Sequence, residues 1–186
     1  MKRFFDILLV IFSIPIIAIP FIFIYFSVVL TSKGPSFYWS ERVGKNQSIF
    51  FMPKFRTLKL NTPQIATHLL QDPEKYYTPI GKFLRRTSLD ELPQVWSILL
   101  GDMSFVGPRP ALYNQDDLIA LREEKGINKL IPGLTGWAQI NGRDEISIRE
   151  KVNLDYTYLK KRSLIFDIII LFKTIGKALK SDEVTH

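Results

Sequence analysis

Residues 85–110, RRTSLDELPQVWSILLGDMSFVGPRP, are the stretch around which this chain is read. Arg85 and Arg86 lead into the adjacent carboxylates Asp90 and Glu91. An apolar run follows and stops at Gly101, and a rigid Gly-Pro-Arg-Pro turn then carries Arg109. Pro93 sets the helix register. A cap at Ser88 makes a capping box with Glu91, but it places Pro93 past the first turn, where the missing N–H loses a bond. A start near Asp90 keeps Pro93 in the first turn. It also sets Asp90 among free backbone donors, at an end that binds phosphate and keeps a carboxylate ionised. Leu92, Val95, Trp96 and Leu99 then form an apolar stripe, with Gly101 as the stop.

An ionised Asp90 has two chemical uses. It can ligate Mg²⁺, which takes one or two carboxylates together with substrate phosphates. It can also attack phosphorus as a nucleophile, with Arg85 and Arg109 neutralising the phosphoryl group. Clustered carboxylates and arginines have structural uses as well, so the spacing alone leaves both readings open.

The whole chain sets the context. It has 186 residues, enough for one domain with a core, and a net charge of +7 that suits anionic partners. The absence of cysteine excludes disulfides and thiolate metal sites. The cations are dispersed and match no nucleic-acid motif, so no nucleic-acid partner is expected.

Upstream, residues 7–32 carry no charge. The apolar run is long enough to cross a bilayer and lacks a small-residue cleavage site of the signal-peptide kind. Pro15 and Pro20 interrupt it, and Lys2 and Arg3 before it are matched by Lys33, Arg42 and Lys45 after it. Cations on both sides draw both ends to the cytoplasmic face, which favours a helix that enters, bends and returns over a simple span. Phe37–Trp39 and Ser48–Met52 read as short strands around a Val43–Asn46 turn. Lys54 and Arg56 alternate, so on an extended segment they face one way, as lysines at a solvated strand edge also do. Residues 61–79 read as a surface loop or short helix with a bland His68, 112–125 and 145–162 as helices, and Ser163–Lys180 as an interfacial or an ordinary packed helix.

Four segments in order, KFRT (54–57), SLDELPQ (88–94), GDMSFVGPRP (101–110) and PGLTGWAQINGR (132–143), resemble the bacterial sugar transferase family. The match is to its small monotopic phosphoglycosyl transferases and covers nearly the whole chain. The resemblance implies an α+β, mainly helical fold, with a re-entrant membrane helix over residues 1–33 and a compact cytosolic catalytic domain over 34–186. Short strands and membrane-surface amphipathic helices belong to that expectation. So does transfer of a phospho-sugar from a UDP-sugar to polyprenyl (undecaprenyl) phosphate with release of UMP, on the cytoplasmic face of the bacterial inner membrane. By resemblance, Asp90 is the nucleophile and a Mg²⁺ contact, and Glu91 is a supporting acid or base. Arg85 and Arg109 lie near the phosphate, and Lys54, Arg56 and Arg143 lie around the nucleotide diphosphate. Pro20 matches the family's helix-breaking proline, with Ile19 where the family has serine; Ser13 and Pro15 are the other place for the break. The competing readings are a Mg²⁺-dependent membrane phosphatase or pyrophosphatase and a non-catalytic basic membrane adapter.

Overall fold

The amino-terminal apolar run folds as one helix, α1 (Lys2–Thr31), in a computed structural model that describes residues 1–63, 72–142 and 146–179. Pro15 and Pro20 lie inside it without taking the chain out of helical conformation, so a bend at Pro20 has to occur within a continuous helix. Ser13 Oγ donates to the Val10 carbonyl at 2.9 Å. The carbonyl that Pro15 deprives of its donor is that of Ile11, so this hydroxyl does not replace the lost bond.

Both ends of α1 rest on the same folded body. At the start, Lys2 Nζ pairs with Asp167 Oδ2 at 2.6 Å, and Arg3 donates to the Ile98 and Leu99 carbonyls. Asp6, 3% exposed, accepts from Ser104 Oγ at 2.9 Å and from the Phe105 amide at 3.1 Å. Val10 enters a cluster with Phe50, Met52, Ile98 and Met103. Near the far end, Ile24 and Val28 pack with Phe55 and Leu84. Between these anchors Ile11, Phe12, Ile16, Ile19, Ile22 and Phe23 stand exposed.

The hairpin follows as expected. β1 (Phe37–Val43) and β2 (Ile49–Phe55) pair antiparallel, with Ser40 opposite Met52 and Tyr38 opposite Lys54. Alternation places Phe50 and Met52 on the core side and Ile49 and Phe51 outside. The segment then reaches α2 (Gly81–Arg86), a 3-10 turn (Leu89–Gln94) and α3 (Val95–Leu100), ended by Gly101 at φ 96°. Half of the apolar stripe expected here packs: Leu92 and Val95 join the core clusters, but Trp96 and Leu99 do not. Ile98 and Ser97 are buried, whereas Trp96, Leu99 and Leu100 point outward. The 3-10 start changes the angular phase, so the later half of a stripe counted at a pure α-helical period turns away from the core.

β3 (Ser104–Val106) pairs in parallel with β5 (Gly133–Thr135). The two backbones approach so closely that a Cβ on Gly107 would lie 2.5 Å from the Ile131 carbonyl oxygen, which requires glycine there. β4 (Ala111–Leu112) joins the edge of β1, with Arg42 opposite Leu112. The helix read from residue 112 therefore begins later, as α4 (Asp116–Glu124). After α5 (Trp137–Asn141), α6 (Ile148–Lys161) starts on a reciprocal Ser147–Glu150 capping box. α7 (Leu164–Leu179) buries Asp167 and Ile170 and exposes Ile165, Ile169 and Phe172. Lys173 on α7 lies over the Trp137 ring at 5.1 Å. Lys180 and His68 lie outside the described residues.

Candidate active site

Asp90 and Glu91 lie in the 3-10 turn between α2 and α3, and adjacent side chains on that turn diverge into different surroundings. Glu91 is taken up by cations. Its Oε1 accepts from Lys54 Nζ at 2.7 Å and from Arg109 Nη2 at 2.9 Å. Burial works to raise Glu91, but Arg109 and Lys54 outweigh it and hold the carboxyl well below the usual range. Glu91, for which the resemblance implies a supporting acid or base role, is thus held as an anion. As it stands it is a fixed anion that aims two cations. Lys54 has its own pKa lowered, chiefly by burial, with Glu91 pulling the other way.

Asp90 is 6% exposed, and no hydrogen bond to its carboxylate is found among the described residues. Burial pushes it up from 3.8 to about 6; Lys54, Arg85 and Arg109 act in the opposite sense, and Glu91 adds to the rise. The helix terminus expected to favour the ionised form of Asp90 does not lower its pKa. The turn is six residues of 3-10 helix begun by Ser88 at φ 57°, and desolvation outweighs whatever field it supplies. At neutral pH the carboxylate is still mostly ionised.

The arginines divide. Arg85 donates through Nε to Thr57 Oγ1 at 2.9 Å, stands 5.8 Å from the centre of the Tyr77 ring, and acts electrostatically on Asp90. Arg109 bonds Glu91 and acts on Asp90 as well. Arg56 does not join them. Its Nε donates to the Pro35 carbonyl at 2.6 Å, and its Nη2 donates to the Ser32 hydroxyl at 3.0 Å. It thus ties down the chain leaving α1. β2 ends at Phe55, so the alternation that put Lys54 and Arg56 on one face stops one residue too early. Arg143 lies outside the described residues.

The turn carrying Arg109 is held from three sides. The Pro108 carbonyl accepts from the Gly133 amide at 2.9 Å, that of Arg109 from Arg122 Nη1 at 2.8 Å, and that of Pro110 from Arg42 Nη1 at 3.2 Å. Behind it a cavity of about 30 Å³, lined in part by Pro108, Pro110, Arg122 and Asn128, has room for a water and not for a nucleotide. Sequence reading missed Thr57, Tyr77, Arg42 and Arg122 as supports, because each meets its partner only through tertiary contact.

A relative from Escherichia coli (strain K12), UDP-glucose:undecaprenyl-phosphate glucose-1-phosphate transferase, is 39% identical over 95% of this chain and 40% of its own length. Undecaprenyl-phosphate galactose phosphotransferase of Salmonella typhimurium is 37% identical over 98% of this chain and 41% of its own length. A Bacillus subtilis protein described as an uncharacterized sugar transferase, EpsL, is 38% identical over 99% of this chain and 90% of its own length. This chain spans about two-fifths of the first two relatives. The family model for bacterial sugar transferases matches residues 1–181, and the chain belongs to that family.

Proposed function

We propose that this protein is a phosphoglycosyl transferase, moving a phospho-sugar from a UDP-sugar to polyprenyl phosphate. The observation that carries the reading is Asp90: a buried carboxylate without a hydrogen-bond partner among the described residues, acted on by Lys54, Arg85 and Arg109. In the first step an Asp90 oxygen attacks the sugar-bearing phosphorus of the donor. A bond forms between that oxygen and phosphorus, the bond to the bridging oxygen breaks, and UMP leaves with the bonding pair. In the second step a phosphate oxygen of the lipid attacks the same phosphorus and the aspartyl carboxylate departs. Arg85 and Arg109 stabilise charge on the phosphoryl oxygens in both steps. Lys54 and Glu91 keep Arg109 aimed. The relatives named for undecaprenyl-phosphate sugar transfer support the donor and acceptor classes.

Mg²⁺ fits this donor set. Asp90 offers a carboxylate with no hydrogen-bond partner among the described residues, and one carboxylate together with substrate phosphate oxygens is a donor set that Mg²⁺ takes. When bound, the ion would draw charge from the diphosphate.

The membrane reading rests on α1. A straight helix of 30 residues is about 45 Å long, more than the roughly 30 Å of a hydrocarbon core. If it spanned the bilayer, its ends would emerge on opposite faces. Here Lys2, Arg3 and Asp6 at one end, and Ile24 and Val28 near the other, contact the same body. We therefore read α1 as re-entrant, its exposed Ile11–Phe23 segment in lipid and the catalytic domain on the cytoplasmic face of the inner membrane. Trp96, Leu99 and Leu100 of α3 and Ile165, Ile169 and Phe172 of α7 are the exposed apolar groups suited to the interface.

The test is purified protein in nanodiscs with Mg²⁺, polyprenyl phosphate and a panel of UDP-sugars. Sustained UMP release should occur only in pairing with glycosylated lipid diphosphate, and without lipid it should stop at one UMP per protein. Without lipid, the protein should gain the mass of one phospho-sugar on the peptide holding Asp90. Steady release of free sugar phosphate without lipid would instead indicate a hydrolase, and full turnover by Asp90→Asn would remove the nucleophile.

A further inference from the structure

The most completely buried ion pair in the described structure lies outside the Asp90–Glu91 site. Arg122 on α4 is 7% exposed and Asp155 on α6 is 1% exposed. Arg122 Nε and Nη2 both reach Asp155 Oδ2, at 3.0 and 2.6 Å. The remaining nitrogen, Nη1, donates at 2.8 Å to the backbone carbonyl of Arg109. A buried ion pair is weak evidence for stability, since well-packed apolar residues often replace one at no loss. A guanidinium that bonds two partners at once does fix them relative to each other, because its donors sit in a rigid planar fork.

The chemistry of the turn explains why a side-chain donor is needed. Pro108 and Pro110 have no N–H, so the segment is poor in donors and is held mainly through its carbonyls. The Pro108 carbonyl is tied to β5 and the Pro110 carbonyl to β1 through Arg42. The bond from Arg122 acts on the Arg109 carbonyl itself. On the other side of the same residue, the guanidinium meets Glu91 at 2.9 Å.

We propose that Arg122, charged and oriented by Asp155, is a positioning residue for transfer: it holds the Arg109 backbone so that the Arg109 side chain meets the phosphoryl group. Arg122 touches neither substrate nor the reacting atoms. The proposal rests on the transferase reading for its kinetic consequence but not for its structural one. α4 and α6 thereby bear on the reaction although neither lines the site.

The experiment compares Arg122→Lys, Arg122→Met, and Arg122→Met combined with Asp155→Leu, the last removing both buried charges so that folding does not fail on an unpaired one. Melting temperature identifies the folded variants. Hydrogen exchange of the peptide spanning residues 103–112 should speed up in every folded variant. For UMP release, kcat should fall about 10²-fold, the scale of a roughly 1 Å misplacement, with KM for the UDP-sugar nearly unchanged. Arg122→Lys should not restore it, because one ammonium cannot replace the fork. In an Arg109→Ala background the Arg122 substitution should cost nothing more. A folded double variant with kcat within about twofold of the parent and unchanged exchange, far below the expected misplacement effect, would overturn the proposal, as would an undiminished loss in the Arg109→Ala background. If the parent itself releases no UMP from any donor, the transferase reading fails, and the exchange measurement still decides whether Arg122 holds the turn.

Discussion

Replacing Asp90 with asparagine should make the protein inactive and, at neutral pH, relatively more stable. The carboxyl is raised from 3.8 to about 6, chiefly by burial. A rise of about two pH units corresponds to about 3 kcal/mol against the charged form in the folded state. The folded pKa lies above the unfolded one, so Asp90 contributes no penalty below about pH 4, where it is neutral in both states. The penalty grows as pH rises through about 6 and is complete above about 7. Asparagine carries no such charge, but its buried amide has a fixed cost of its own. The quantity to follow is therefore the stability difference, Asp90→Asn minus parent, as a function of pH. It should rise by about 3 kcal/mol between pH 4 and 7.5, or about 6–12 °C in melting temperature for a chain of this size. Thermal unfolding in nanodiscs at closely spaced pH values, without Mg²⁺, measures it. Adding Mg²⁺ at about a hundred times its Kd should then stabilise the parent by about 2.7 kcal/mol and leave the variant unmoved. A difference that stays flat from pH 4 to 7.5, or falls, would refute the claim that Asp90 is held charged against its surroundings.

Other substitutions separate the remaining roles. Glu91→Gln strands Lys54 and Arg109 beside a neutral group, so it should destabilise the fold by about 3–5 kcal/mol, read by chemical unfolding. Because Glu91 helps to raise Asp90, the acid limb of any residual activity in that variant should move to lower pH. Arg56→Ala should lower the melting temperature, losing about 2–4 kcal/mol with the bonds to Ser32 and Pro35, while KM for the UDP-sugar stays within about twofold of the parent. A large KM increase with unchanged stability would return Arg56 to the nucleotide. The chain has no cysteine, so single cysteines at residues 2 and 33 report topology cleanly. Both should resist a membrane-impermeant maleimide in intact cells and react after permeabilisation, whereas labelling of only one would make α1 a span.

Composition, spacing and motif order were enough to read the long apolar helix, the β1–β2 hairpin, the stop at Gly101, the helices over α6 and α7, and the family. These depend on local rules: hydrophobic period, glycine and proline geometry, and the order of four short segments. Which side chains meet was another matter. Lys54 and Arg56 are two apart, yet one bonds Glu91 and the other Ser32 and Pro35, because β2 ends between them. Asp90 and Glu91 are neighbours, yet burial raises one carboxyl while two cations lower the other. The stripe through Trp96 and Leu99 was legible, but the face it turns outward depended on a 3-10 start that the α-helical period does not describe. The contact between Arg122, Asp155 and the Arg109 carbonyl joins segments with no local mark of their pairing. A sequence carries each group's intrinsic charge and its period along the chain. Its desolvation and its partners are set by whatever packs over it, and that was decided only when α1, the hairpin and the α4–α6 pair closed around the Asp90 turn.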